Sequence, residues 1–222
     1  MPNNLEKINW AKIDTILLDM DGTILDLSFD DYIWNKKVPE NLAKVKNLEL
    51  DEAQSILGQK MTTVKSTLNW YSFKYWEDSL NINIDVIEEK FKHKIKFRND
   101  ALLFLKSNLV RTRQPILVTN ADRKGLNRKL RATGLERYFQ NIVCSHDLKH
   151  AKEERIFWDV LRTTFNLNYS RTLLIDDNIQ VLDVARDIGI KYLRGISTPN
   201  SKREPIESDN YLLINKLREI LY

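Results

Sequence analysis

Asp19-Met20-Asp21-Gly22-Thr23 sets two carboxylates two residues apart at the end of an apolar run. On an extended strand such residues point the same way, but a turn through Gly22 can aim them differently, so that one attacks while the other handles protons. The chemistry this suits is cleavage of a phosphate monoester, for which enzymatic accelerations reach about 10²¹-fold. That reaction needs a positioned nucleophile, a proton donor for the leaving alkoxide and cations facing the phosphoryl charge. Taken alone, the motif also fits an ordinary turn built from Asp and Gly.

The elements that would carry such a motif follow from periodicity. Residues 13–18 read as a short buried strand, and 116–119, 142–144, 172–175 and 191–193 read alike. Helical patterns lie between most of them: 126–132 stopped by Gly134, 156–165, and a third marked by Ile179, Leu182, Ala185 and Ile188 and stopped by Gly189. Alternating strands and helices predict an α/β fold with a mostly parallel sheet. Between Leu25 and Lys96 the strand signal gives way to helices. Asp51 with Gln54 resembles a capping box, opening a long helix towards Leu80. The expected organisation is an α/β core of residues 1–24 and 97–222, with 25–96 forming a helical cap over the site.

At 222 residues and 42% hydrophobic content, the chain can bury one sizeable core and a smaller attached unit. The net charge is +4, with basic groups at Lys92, Lys94, Lys96 and at Arg123, Lys124, Arg128, Lys129, Arg131. Interleaved acids make these read as solvated helix faces, not a nucleic-acid surface. A modest positive field suits a small phosphorylated substrate. Cys144 is the single cysteine, and no Cys/His cluster has zinc spacing, which points to a reducing compartment and a cytoplasmic protein. No stretch approaches the roughly 20 apolar residues that span a bilayer, and residues 1–14 hold no apolar core of signal-peptide length.

The Asp19–Thr23 segment resembles the first motif of the haloacid-dehalogenase-like superfamily, whose phosphatases form an aspartyl-phosphate intermediate. The family's second motif, a Ser or Thr ending a strand, is matched by Thr119-Asn120. The third, a Lys near a helix start, is matched by Lys152, and the fourth, an acidic pair after a strand, by Asp176-Asp177. The resemblance implies a Rossmann-like core with Asp19 as nucleophile and Asp21 as general acid/base. It further implies Thr119, Asn120 and Lys152 as phosphate ligands, and a Mg²⁺ site formed by Asp19, the Asp21 carbonyl and Asp177, with Asp176 joining directly or through water. Viewed singly, Asp176-Asp177-Asn178 also fits a helix cap, and Thr119 and Lys152 fit ordinary strand-end and surface positions. Many family members carry Pro before the third-motif Lys, where this chain has His150-Ala151. An acid at the second position of the first motif separates the chain from the dehalogenase branch.

Segments around Thr67–Tyr71 and Tyr75-Trp76, with the first and fourth motifs, resemble the bacterial nucleotidases of this superfamily that act on GMP and IMP. That resemblance implies a purine nucleoside 5′-monophosphate as substrate; the interleaved charges and the lack of a long apolar stretch point to no nucleic-acid or membrane partner, and the oligomeric state stays open. Asn69, Phe73 and Trp76 are read as one helical face that either stacks on the base or packs inside the cap. The alternatives are a sugar-phosphate phosphatase or phosphomutase, and a non-catalytic regulatory binding module on the same fold.

Overall fold

The computed structural model describes residues 8–221; residues 1–7 of the stretch read above for a signal core lie outside the described residues. Six strands form a parallel sheet in the order β3-β2-β1-β4-β5-β6. They are β1 Thr15–Leu18, β2 Ile116–Thr119, β3 Asn141–Cys144, β4 Thr172–Asp176, β5 Tyr192–Ile196 and β6 Leu213–Ile214. Near-continuous apolar strands are what a sheet covered on both faces requires. Ile16, Leu18, Leu117, Leu173 and Ile175 pack on one face, while Leu17, Ile116, Val118, Leu174 and Leu193 pack on the other. The alternation follows the two-residue period of extended backbone.

β1 lies between β2 and β4, so the chain leaves it in two directions at a topological switch point, where ligands of open α/β sheets bind. Register fixes what meets there. Leu18 pairs with Leu117 and with Ile175, so Asp19 emerges beside the end of β2 and beside Asp176.

The helical expectation between β1 and β2 holds, with corrections. This insertion comprises Ser28–Tyr32, a π-helical turn Ile33–Lys37, Val38–Lys46, Leu50–Val64, Leu68–Tyr71, Phe73–Leu80 and Ile84–Phe91. It has its own apolar cluster, with Phe29, Leu42, Leu57, Trp76 and Leu80 inside. The two passages between sheet and insertion run side by side: Leu25 bridges Phe97, and the Asp26 N–H donates to the Lys96 carbonyl at 3.0 Å. The long helix expected from Asp51 to Leu80 is broken twice. Lys65 turns to ψ 137° and Ser66 to φ 61°, and Ser72 at ψ 117° caps the next helix by accepting from the Tyr75 N–H. The expected capping box does not form, because the helix begins at Leu50 behind Glu49 with no side-chain cap.

The remaining helices lie close to their predicted spans: Arg123–Thr133 ending in Gly134 at φ 63°, Arg155–Phe165, and Ile179–Asp187 followed by Gly189 at φ 93°. Sequence periodicity missed Ala101–Lys106, Asn108–Arg111 and the two-residue β6. Among the described residues, no helix is long and apolar enough to cross a membrane.

Candidate active site

Asp19, at the C-terminal end of β1, is 5% exposed. Its Oδ1 accepts from the Lys152 ammonium at 2.5 Å, whereas Oδ2 has no hydrogen-bond partner among the described residues. Burial pushes its pKa up to about 7; Lys152 opposes the shift and Asp176 reinforces it. Lys152 also donates to Asp176 Oδ2 at 2.7 Å and to the Val118 carbonyl at 3.3 Å. Burial pulls its pKa down, but Asp176 and Asp19 outweigh that and hold the ammonium charged.

Asp177 follows Asp176 on the turn after β4, and burial with Asp19 and Asp176 pushes its carboxyl well above the usual range. One carboxylate oxygen from each of Asp19, Asp176 and Asp177 lies within 4.8 Å of the others. Three carboxylates face one ammonium, all the donors are oxygen, and one donor is orphaned, so the cluster fits a hard cation such as Mg²⁺.

Gly22 permits that crowding. Its φ is +84°, and a Cβ there would stand 2.4 Å from Asp177 Oδ2. Gly22→Ala is therefore expected to cost about 1–3 kcal/mol of stability through the strained backbone. Urea unfolding would check this, and a midpoint equal to that of the parent protein would contradict it.

The second acid of the motif faces elsewhere. Asp21 Oδ1 lies 2.7 Å from Lys129 Nζ, and that ammonium is also 2.6 Å from Asp30 Oδ1 in the insertion. The turn through Gly22 thus gives each acid its own lysine, Asp19 to Lys152 and Asp21 to Lys129. Burial pulls the Lys129 pKa down, yet Asp21, Asp30 and Glu88 together raise it.

Thr119 and Asn120 sit at the end of β2, both buried. Thr119 Oγ1 accepts from the Ala121 N–H at 3.0 Å. Asn120 Oδ1 accepts from the Lys152 N–H at 2.9 Å, and its Nδ2 donates to Glu153 Oε2 at 2.8 Å. The Asn120 amide, expected to meet phosphate directly, is here engaged in holding Lys152 and Glu153.

All seven predicted residues, Asp19, Asp21, Thr119, Asn120, Lys152, Asp176 and Asp177, line one cavity of about 550 Å³ between sheet and insertion. Its opposite wall is aromatic, with Trp34, Trp70, Tyr71 and Phe73 beside Met61. Trp76 lies behind this wall, 1% exposed and edge-on to Trp34 at 5.5 Å. Asn69, Phe73 and Trp76 do not form one helical face, because Ser72 separates the helix carrying Asn69 from the other two.

Sequence reasoning missed Lys129, Glu153 and Trp34. In sequence Lys129 reads as one of the solvated basic residues, yet it is 3% exposed, and Arg128 beside it is 2% exposed. The usable signal was that Lys129 lies three residues after buried Leu126, on the inward face of the helix. Trp34 sits on the π-helical turn, a local irregularity that side-chain periodicity does not announce.

Comparison with known proteins agrees with this geometry. A profile of haloacid dehalogenase-like hydrolases matches residues 16–194. The GMP/IMP nucleotidase YrfG of Escherichia coli is 34% identical, covering 96% of this chain and 96% of its own. The phosphorylated carbohydrates phosphatase of Thermotoga maritima is 21% identical over 94% of this chain and 100% of its own. In fold, the crystal structure of a HAD phosphatase from Thermococcus onnurineus superposes with a TM-score of 0.78 at 19% identity, covering 94% of this chain and 98% of that one. With its four motifs gathered at the strand ends of a parallel sheet, and with matching sequence along most of its length, the chain belongs to the haloacid dehalogenase-like hydrolase family.

Proposed function

We propose that the chain is a magnesium-dependent phosphomonoesterase that cleaves purine nucleoside 5′-monophosphates, GMP and IMP in particular, to nucleoside and phosphate in the cytoplasm. The observation that carries the phosphatase reading is the division of labour at Asp19: one oxygen is held by Lys152 while the other faces the cavity without a partner. In the first half-reaction Asp19 Oδ2 forms a bond to phosphorus as the ester P–O bond breaks, and Asp21 gives the leaving oxygen its proton. In the second, water attacks the aspartyl phosphate and loses its proton to Asp21, releasing phosphate and restoring Asp19. Thr119, Lys152 and the second Nδ2 hydrogen of Asn120 hold the phosphoryl oxygens in place, while the other bonds of that amide go to Lys152 and Glu153.

Asp19, Asp176, Asp177 and the Asp21 carbonyl would hold Mg²⁺, which when bound offsets the phosphoryl charge and the mutual repulsion of the carboxylates. Residues 25–96 act as the cap, with 1–24 and 97–222 as the catalytic core. The purine reading rests on the likeness to the Escherichia coli nucleotidase and on the aromatic wall. Each base-to-ring stacking contact contributes about 1–3 kcal/mol. A sugar phosphate is the second reading, supported by the likeness to the Thermotoga carbohydrate phosphatase. An unpartnered buried carboxylate oxygen beside two further acids argues against a silent binding module.

A phosphate-release panel tests both levels. GMP and IMP should exceed sugar phosphates in kcat/KM by at least about tenfold, a difference of 1.4 kcal/mol in transition-state binding. EDTA should abolish release and added Mg²⁺ restore it. Equal rates on sugar phosphates would remove the nucleotidase reading, and release unaffected by EDTA would remove the metal.

A further inference from the structure

Glu153 directly follows Lys152 and belongs to none of the four motifs, yet its carboxylate joins three parts of the site. Oε2 accepts from Asn120 Nδ2 at 2.8 Å, at the end of β2. Oε1 accepts from Asn178 Nδ2 at 3.0 Å, one residue after Asp177. Oε1 also accepts from the Tyr71 hydroxyl at 2.5 Å, and Tyr71 belongs to the insertion. Asn120 in turn receives the Lys152 N–H on Oδ1, so an unbroken chain of hydrogen bonds runs from Tyr71 to the backbone of Lys152. Burial and the Glu153 charge push the Tyr71 phenol up in pKa, which keeps it protonated and therefore a donor.

Other polar contacts between insertion and body end away from these residues. Ser66 reaches Gln180 at 2.6 Å, and the Phe73 N–H reaches Asp122 at 2.9 Å. Arg128 pairs with Asp85, Glu88 and Glu89 of the insertion. Such contacts hold the insertion in place without touching Asn120 or Lys152. The Asn120 amide has one oxygen and one nitrogen, and both are fixed by neighbours. Without Glu153 as acceptor, Asn120 Nδ2 loses its fixed partner, and the amide orientation that presents Oδ1 to the Lys152 N–H is held from one side only.

We propose that Glu153 is a positioning residue through which Tyr71 sets Asn120 and Lys152 in their phosphate-binding geometry, so that the phosphate site is complete only when the insertion is seated. This inference rests on the phosphatase reading above and adds to it a route from cap to phosphate. Two-state coupling of this kind requires a differential contact in the seated state, and the Tyr71 hydroxyl supplies one.

The test is a double-mutant cycle read by affinity for inorganic phosphate, measured by calorimetry on the magnesium-containing protein with Tm recorded for each variant. Tyr71→Phe, which keeps the ring, is expected to weaken phosphate binding about tenfold, within the range for groups in one network. Glu153→Ala should do the same, because it removes the acceptor shared by Tyr71 and Asn120. In the Glu153→Ala background, adding Tyr71→Phe should cost less than about twofold, because its route is already cut. Phosphate affinity of Tyr71→Phe within about twofold of the parent, or the same factor in both backgrounds, would overturn the proposal. Parent protein that neither binds inorganic phosphate nor releases it from any ester would instead overturn the phosphatase reading.

Discussion

Asp19→Asn should lower kcat by about 10⁴- to 10⁶-fold, the range seen when a nucleophile or its immediate partner is removed, while leaving the fold at least as stable. The amide keeps the size of the carboxylate, and its oxygen can still accept from Lys152, now 2.5 Å from Asp19 Oδ1. It cannot attack phosphorus. Stability moves the other way because the parent carboxylate is buried beside Asp176 and Asp177. Burial raises its pKa to about 7, so the ionised form is penalised in the fold relative to the unfolded chain. For an acid with a raised folded pKa, that penalty is absent at low pH, develops as pH rises above the unfolded value, and is complete once the folded pKa is passed. In metal-free protein, the stability advantage of Asp19→Asn should therefore grow between about pH 4 and pH 7 and then level off. Urea unfolding across that range checks the stability claim and steady-state phosphate release checks the kinetic one. A variant with near-parental kcat would remove Asp19 as nucleophile.

Lys129→Met is the second large effect. This ammonium is 3% exposed and lies 2.7 Å from Asp21 and 2.6 Å from Asp30, with Glu88 adding to the field around it. Removing one partner of a buried ion pair leaves uncompensated charge and costs about 3–5 kcal/mol. The loss should be steepest above pH 6, because burial already raises the Asp30 pKa to about 6 and without Lys129 its ionisation has no offset. Asp30→Asn in the same chain should recover part of the loss, since the two residues are in contact and their effects are not additive. Because Lys129 also directs Asp21, kcat should fall even where the variant is folded. A urea midpoint within error of the parent, at pH 8, would contradict the role given to Lys129.

Much of the site was legible in the sequence because it is built from strand ends. Asp19, Thr119 and Asp176 each close an apolar run, and a parallel sheet in register places such residues side by side without further information. Lys152 was legible from its place before a helix, although the helix itself starts at Arg155. The rest depends on tertiary burial. Lys129 looks like its solvated neighbours Lys124 and Arg131 until the insertion covers it. Glu153 looks like an exposed helix-start acid until Tyr71 reaches it. The insertion was readable as helical but not in its breaks, since Ser66 at φ 61° is unusual for a non-glycine residue and is set by packing rather than by propensity. Trp34 and Trp76 illustrate the same limit. Both are tryptophans of one helical block, and only packing decides that the first lines the cavity while the second fills the core behind it.

The central claim is that phosphorus passes through a covalent bond to Asp19. The direct measurement is acid quench of the enzyme during turnover of its best substrate, followed by hydroxylamine treatment and mass spectrometry of the peptide carrying residue 19. An acyl phosphate is expected to yield a hydroxamate at Asp19, absent without substrate and absent in Asp19→Asn. Turnover at full rate with no modification at Asp19, or with the modification on another carboxylate, would contradict the account.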